Sequence, residues 1–136
     1  MSDIILLRKV LSENRIIAIV GLSDKPHRPS YLVGKYLKDH GFTVVPVNPT
    51  VDEILGEKSY ASLEDLPMQI DMVDCFRRSE QMPDLARSAV AIGAKCLWMQ
   101  LGVMNEEAKQ IAQAQGLDVI MDRCTKIEYA RLFGGP

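Results

Sequence analysis

Hydrophobic and polar positions along the chain follow two alternating patterns. Short, continuous apolar runs rich in Val and Ile are typical of strands that are buried on both faces of a parallel sheet. Between them lie segments in which apolar residues recur every three or four positions, which is the spacing of one helix face. The runs predict strands within 15–21, 42–49, 70–76, 94–100 and 117–121. The periodic segments predict helices within 3–14, 29–41, 79–93, 105–116 and 125–133.

The regular alternation of strand and helix predicts the fold class. Such alternation is typical of a parallel sheet with right-handed crossovers and helices on both faces. We therefore expect an α/β fold, a single Rossmann-like three-layer domain over residues 1–136 with about five mainly parallel strands. An N-terminal helix is expected at about 3–13. The segment 50–67 is expected to be a loop with a short helical turn at 62–66.

Positive charge is concentrated just after the predicted strands. In open parallel sheets, ligands bind beyond the carboxyl ends of the strands, where the strand order reverses. The residues after those strands include Lys25, Arg28, Arg77 and Arg123, although the net charge of the chain is −2. Polar loops can carry such charges by chance, but their common placement favours a ligand. A positive edge over helix N-termini predicts an anion, and phosphate fits it best.

The loop after the first strand, within "VGLSDKPHRPSYLVG", is similar to the start of a dinucleotide-binding fingerprint. Gly21 provides the tight turn, but Ser23 and Pro26 stand where the later glycines of that fingerprint would stand. The second strand ends in "VPVNP", and no acidic residue follows before Asp52. NAD needs an acidic residue there to bind its ribose hydroxyls, so the pattern argues against NAD. NADP stays open, because a carboxylate would repel its phosphorylated ribose.

Composition narrows the function classes further. The net charge of −2 argues against general nucleic-acid binding, and no apolar run approaches the ~20 residues of a membrane span. Arg8 and Lys9 break the short apolar run near the start, which argues against a secretory signal. Three cysteines without close spacing indicate free thiols in a reducing cytoplasm, and two distant histidines give no zinc site. We therefore expect a cytoplasmic protein without a metal, membrane or nucleic-acid partner.

Four segments, in order, carry a resemblance to a known family. They are "IAIVGLSDKPHRPSYLVGKYLKDHGFTVVPVNP", "ILGEKSYASLEDLP", "VDCFRRSEQMPDLARSAVAIGAKCLWMQLGV" and "DRCTKIEY". On these segments the chain resembles the small stand-alone CoA-binding proteins. Their domain is similar to the nucleotide-binding domain of the succinyl-CoA synthetase α subunit and of ADP-forming acyl-CoA synthetases. The resemblance implies a Rossmann-like fold that binds coenzyme A, or an acyl-CoA, at the carboxyl ends of the strands.

The resemblance also implies a set of contacts to coenzyme A. The first loop would contact phosphate, the end of the second strand would lie under the adenosine, and the later strand ends would complete the site. The implied contacts are Gly21, Ser23, Lys25, Arg28, Pro29, Ser30, Val47, Asn48, Pro49, Phe76, Arg77, Gln100, Gly102 and Arg123. No catalytic residue is implied, because the synthetases use a phosphorylated histidine in a further domain. The expected protein binds CoA as a carrier, a sensor or a regulatory partner, and is a monomer or a homodimer.

Two alternatives remain from the sequence. One is a small NADP- or flavin-dependent oxidoreductase. The other is a CoA-linked thiol-exchange enzyme that uses Cys124, since a helix N-terminus and nearby cations would lower the pKa of its thiol. A packing role for a small, partly buried cysteine is the simpler interpretation, because neither histidine lies near Cys124 in the chain.

Overall fold

The computed structural model describes residues 3–134, and residues 1–2 and 135–136 of the expected domain lie outside them. The helices are α1 (Asp3–Glu13), α2 (Pro29–Asp39), α3 (Met82–Ala91), α4 (Glu106–Ala114) and α5 (Thr125–Phe133). The strands are β1 (Ile16–Val20), β2 (Thr43–Val47), β3 (Glu53–Ile54), β4 (Glu57–Lys58), β5 (Met72–Cys75), β6 (Cys96–Met99) and β7 (Asp118–Ile120).

The main sheet has five strands in the order β2-β1-β5-β6-β7. All neighbouring pairs are parallel, which confirms the predicted α/β fold. The chain adds β2 on one side of β1 and then β5, β6 and β7 on the other. Strand order therefore reverses between β1 and β5, whose last residues, Val20 and Cys75, are paired. A crevice for a ligand is expected beyond these two strand ends.

The helices cover the two faces of the sheet and create two apolar cores. One core lies between the sheet and α1, α2 and α5, and contains Leu11, Leu37 and Trp98. The other lies between the sheet and α3 and α4, and contains Ala86, Ala108 and other small residues. These small residues allow the helices to lie close to the strands. Continuous apolar strands between two helical layers explain why the apolar runs in the sequence show no alternation.

The segment after β2 is more ordered than the expected loop. Strands β3 and β4 form an antiparallel hairpin, with positive φ angles of 56° at Leu55 and 76° at Gly56 in its turn. Two-residue strands are too short to produce a recognisable sequence pattern. A 3₁₀ turn follows at Leu63–Asp65, inside the predicted helical turn. Helix α3 begins at Met82 rather than at residue 79, after a further 3₁₀ turn.

Across residues 3–134, every helix is either too short or too polar to serve as a membrane span.

Candidate functional site

Gly21 brings the first loop into direct contact with the end of β5. Its φ is +87°, a conformation that favours glycine. A Cβ at this position would overlap the backbone carbonyl oxygen of Phe76 and would lie 3.4 Å from a guanidinium nitrogen of Arg77. The strand ends at the point of order reversal therefore touch through backbone, and glycine is required there.

Replacing Gly21 with alanine is expected to destabilise the protein. Gly116→Ala is the matched control, because Gly116 has the same φ of +87° but open space where an added Cβ would lie. The control substitution should lower the free energy of unfolding by about 1 kcal/mol, through the cost of positive φ alone. Gly21→Ala should cost about 1 kcal/mol more, because the Phe76 backbone must shift. Chemical denaturation measures both, and equal losses would contradict the close contact.

Two serines shape the first loop. The Ser23 backbone N–H donates to Ser30 Oγ at 2.9 Å, and Ser23 Oγ accepts the Lys25 N–H at 3.0 Å. These bonds turn the loop onto the first turn of α2, where Pro29 is the first helical residue. Each hydroxyl accepts one bond and donates none to residues 3–134, so both hydroxyl protons can be donated to a ligand. The Ser23 backbone N–H, in contrast, is already used within the protein.

Asn48 connects the end of β2 to the first loop. Its Nδ2 donates to the Leu22 carbonyl at 2.9 Å. Its Oδ1 accepts from the Thr50 backbone N–H at 2.9 Å and from the Thr50 hydroxyl at 2.8 Å. Both ends of the amide are thus bonded within the protein. Asn48 contributes to the site by holding the two loops together.

Three cations near the loop have no carboxylate partner in the described part of the chain. Lys25 and Arg28 are exposed, and Arg77 is half-buried beside Gly21. Within residues 3–134, none of the three side chains has an ion pair or a hydrogen bond. Other arginines are paired with carboxylates: Arg78, Arg87, Arg123 and Arg131. Unpaired cations that converge on one edge attract an anion more strongly than paired ones, because their charge is not already compensated.

Three adjoining cavities open at the carboxyl ends of the strands. The loop cavity, about 400 Å³, is lined by Gly21, Ser23, Asp24, Lys25, Arg28, Pro29, Ser30, Asn48, Thr50 and Phe76. The side cavity, about 200 Å³, is lined by Val20, Val47, Pro49, Ala61, Ser62, Leu63, Glu64, Arg77, Leu85 and Ser88. The main cavity, about 790 Å³, is lined by Pro29, Val33, Phe76, Arg77, Arg78, Gln81, Gln100, Leu101, Gly102, Val103 and Cys124.

The three cavities share lining residues. Pro29 and Phe76 line both the loop cavity and the main cavity, and Arg77 lines both the side cavity and the main cavity. Surface atoms of the main cavity are mostly apolar. An elongated ligand with an anionic part and a less polar arm fits this arrangement, with the charge at the loop and the arm in the main cavity.

A buried polar network lies beneath the main cavity. Gln100 Nε2 donates to Asp74 Oδ1 at 2.6 Å and to Thr125 Oγ1 at 3.0 Å. The Thr125 hydroxyl in turn donates to Asp74 Oδ2 at 3.1 Å. Asp74 and Thr125 are fully buried, and Gln100 is 3% exposed. Burial raises the pKa of Asp74 from 3.8 to about 7, although the two donors favour the ionised form.

Sequence reasoning missed Asp74 and Thr125 as parts of this region. Asp74 lies inside the apolar run of β5, between Val73 and Cys75. An acidic residue within a strand that is buried on both faces is itself a signal, because it needs a partner in the core. The strand period then places Asp74 on the face that is covered by α5, where Thr125 lies.

Cys124 lines the main cavity, in surroundings that do not acidify its thiol. It is 9% exposed and precedes the first residue of α5. Burial raises the pKa of its thiol, and the backbone N–H groups of Lys126 and Ile127 oppose that effect in part. The expectation of a lowered pKa at this helix start is therefore wrong, because desolvation outweighs the helix terminus.

The structure brings together all the implied contact residues except Arg123. Arg123 lies on a separate cavity of about 210 Å³, together with Asp3 and Met104. Its guanidinium contacts Glu128 at 3.1 Å and Asp3 at 3.4 Å. Gly102 lies on the main cavity, and its N–H donates to Asp122 Oδ1 at 2.7 Å.

No cluster of three or more His, Cys, Asp or Glu side chains within residues 3–134 has an arrangement that could hold a metal ion.

Comparisons with known proteins agree with this architecture. A family model described as a CoA binding domain matches residues 15–130. The uncharacterized protein YneT of Bacillus subtilis is 44% identical over 124 residues, which cover 91% of this chain and 92% of YneT. A solved structure of a hypothetical protein from Pyrococcus horikoshii OT3 matches with a TM-score of 0.94 and 38% identity, over 98% of this chain and 94% of that chain.

A larger enzyme matches over part of its length. An ADP-forming acetate–CoA ligase of Methanocaldococcus jannaschii is 28% identical over 127 residues, which cover 88% of this chain. The matched region is 18% of the ligase, so this chain corresponds to a small part of that enzyme.

Proposed function

This chain belongs to the CoA-binding domain family, and from that membership we propose that it binds coenzyme A, or an acyl-CoA, across the carboxyl ends of β1, β2, β5 and β6. The phosphates lie against the first loop, the adenosine lies toward Val47 and Pro49, and the arm that ends in the thiol enters the main cavity. Binding is the proposed activity. The ligase chemistry of the larger relative is not part of this proposal, because the match covers 18% of that enzyme.

The observation that carries the proposal is the set of unpaired cations at the point where strand order reverses. Lys25, Arg28 and Arg77 adjoin the loop cavity and its neighbours without carboxylate partners among the described residues. Coenzyme A brings a 5′-diphosphate and a 3′-phosphate, so several cations can each bind an oxygen. The hydroxyl protons of Ser23 and Ser30 add neutral donors at the same place.

The remaining cavities support the other parts of the ligand. The pantetheine arm of coenzyme A is long, flexible and weakly polar, which suits the mostly apolar main cavity of about 790 Å³. Phe76 and Pro29 line both the loop cavity and the main cavity, so the two cavities adjoin and suit a ligand that extends from one to the other. NADP also has a diphosphate, but its ribose phosphate is at the 2′ position, and a nicotinamide riboside stands in place of the arm.

Calorimetric titration of the purified protein tests the proposal. Coenzyme A is expected to bind with measurable heat, and 3′-dephospho-CoA about 10-fold more weakly, because one charge-assisted contact is lost. NADP should bind more weakly than coenzyme A, because it lacks the arm. A protein that bound NADP and not coenzyme A would overturn the proposal, and a yellow purified protein would point to a flavin instead. Mass spectrometry of ligand retained by the natively purified protein provides an independent check.

A further inference from the structure

The side-chain oxygen of Gln100 is an acceptor that has no donor among residues 3–134. Gln100 is 3% exposed and lines the main cavity. No described residue donates a hydrogen bond to its Oε1, and its side-chain bonds to Asp74 and Thr125 are both made by Nε2. Among the described residues, the fully buried side-chain atoms without a partner are Asn14 Oδ1 and Tyr36 OH, so Gln100 Oε1 retains accessible surface. That surface is available to the cavity that the residue lines.

Asp74 and Thr125 determine which way this amide faces. The two N–H groups of Gln100 point at Asp74 Oδ1 and Thr125 Oγ1, and the Thr125 hydroxyl proton is committed to Asp74 Oδ2. If the amide turned over, its oxygen would face the carboxylate of Asp74 at hydrogen-bond distance with no proton between them. That arrangement is repulsive while Asp74 is ionised, so the network keeps the nitrogen below and the oxygen toward the cavity.

We propose that Asp74 and Thr125 are positioning residues that hold Gln100 Oε1 ready to accept an N–H from the arm of the ligand in the main cavity. The inference rests on the proposed binding of coenzyme A, whose pantetheine arm carries two amide N–H groups. In a mostly apolar cavity, a single fixed acceptor selects an arm with an N–H donor over a plain hydrocarbon chain. If the Gln100 oxygen or the amide N–H of the ligand had no hydrogen-bond partner, binding would be weaker, because both groups lose their contact with water when the ligand enters.

The test compares coenzyme A with 3′-phosphoadenosine 5′-diphosphate, which has the same phosphates and no arm. The ratio of their affinities measures what the arm contributes. Gln100→Met, at nearly the same volume, removes the acceptor together with the Nε2 bonds to Asp74 and Thr125. It is expected to lower this ratio about 10-fold, with a smaller effect on the affinity for the armless nucleotide. Thr125→Val removes one partner of the Gln100 amide and should lower the ratio in the same direction. Thr125→Ser keeps the hydroxyl and should retain the wild-type ratio.

The outcomes separate this inference from the proposed function. A ratio that stays at the wild-type value in Gln100→Met overturns the inference, and so does an equal loss of affinity for both ligands, which would indicate a structural effect. If wild-type protein binds neither ligand, the proposed function fails instead. Thermal unfolding of each variant verifies that the protein is folded before titration. A lower affinity ratio in Thr125→Val, together with the wild-type ratio in Thr125→Ser, supports the positioning role.

Discussion

Arg77→Ala is expected to weaken coenzyme A binding by about 10- to 100-fold, the cost of one or two charge-assisted hydrogen bonds. Arg77 has no ion pair among the described residues and lies beside Gly21, on both the side cavity and the main cavity. Because it is half-buried, its charge is less screened by water than the charges of Lys25 and Arg28. The measurement is calorimetric titration with coenzyme A at low and at high salt.

Arg87→Ala is the matched control for this prediction. It removes the same charge from α3, where Arg87 is exposed and paired with Asp84 and Glu107. Affinity should change little, because an exposed charge that is already paired with carboxylates acts on a ligand only through weak, screened attraction. Arg77→Ala should also reduce the salt dependence of binding, whereas the control should leave it unchanged. If both variants lose affinity equally, the effect reflects net charge and Arg77 makes no direct contact.

The order of the elements and the class of fold could be predicted from the sequence. A continuous apolar run indicates a strand that is buried on both faces, and a helical period indicates a helix with one buried face. The strand β1 and the helix α2 could therefore be predicted from their own residues alone. The turn at Gly21 was also readable, because glycine marks a conformation that other residues avoid. The hairpin β3–β4 was not readable, because each of its strands has two residues and leaves no period.

The site was predictable as a set of strand ends but not as a set of contacts. Residues that follow parallel strands must gather at one edge, which is why Ser23, Phe76 and Gln100 were found together. Arg123 also follows a strand, yet its side chain turns toward Asp3 and Glu128. The direction of a long side chain depends on neighbours from distant parts of the sequence. The partners of Asp74 could not be predicted for the same reason, since Gln100 and Thr125 lie 26 and 51 residues away from it along the chain.

Asp74 is expected to make the stability of the protein depend on pH. Its pKa is about 7 in the folded protein and 3.8 ordinarily, so the folded state retains a proton that the unfolded chain has released. A raised pKa means that the stabilising contribution is fully present at pH values below 3.8 and is lost as the pH rises toward 7. The loss is on the order of 4 kcal/mol in total, and about 2 to 3 kcal/mol of it falls between pH 5 and pH 8.

Asp74→Asn is expected to remove this contribution. Asparagine is nearly isosteric with the protonated acid: it offers donor and acceptor groups to Gln100 and Thr125, and it has no charge to desolvate. Wild-type protein should therefore lose about 2 to 3 kcal/mol more of its free energy of unfolding between pH 5 and pH 8 than the variant loses. Denaturant unfolding at the two pH values measures both. The prediction concerns the difference between the wild-type protein and the variant, because other groups also titrate over this range.

Asp52→Asn is the control, since Asp52 is exposed and makes no side-chain hydrogen bond within the described residues. It should keep the wild-type dependence on pH. If Asp74→Asn keeps that dependence as well, the carboxyl group is ionised at both pH values, and its pKa lies well below 7. The result also bears on the orientation of Gln100, because the repulsion that prevents the amide from turning requires an ionised Asp74. A folded protein with a low Asp74 pKa would hold the Gln100 oxygen toward the cavity at every pH tested, whereas a pKa near 7 makes that orientation strongest above neutral pH.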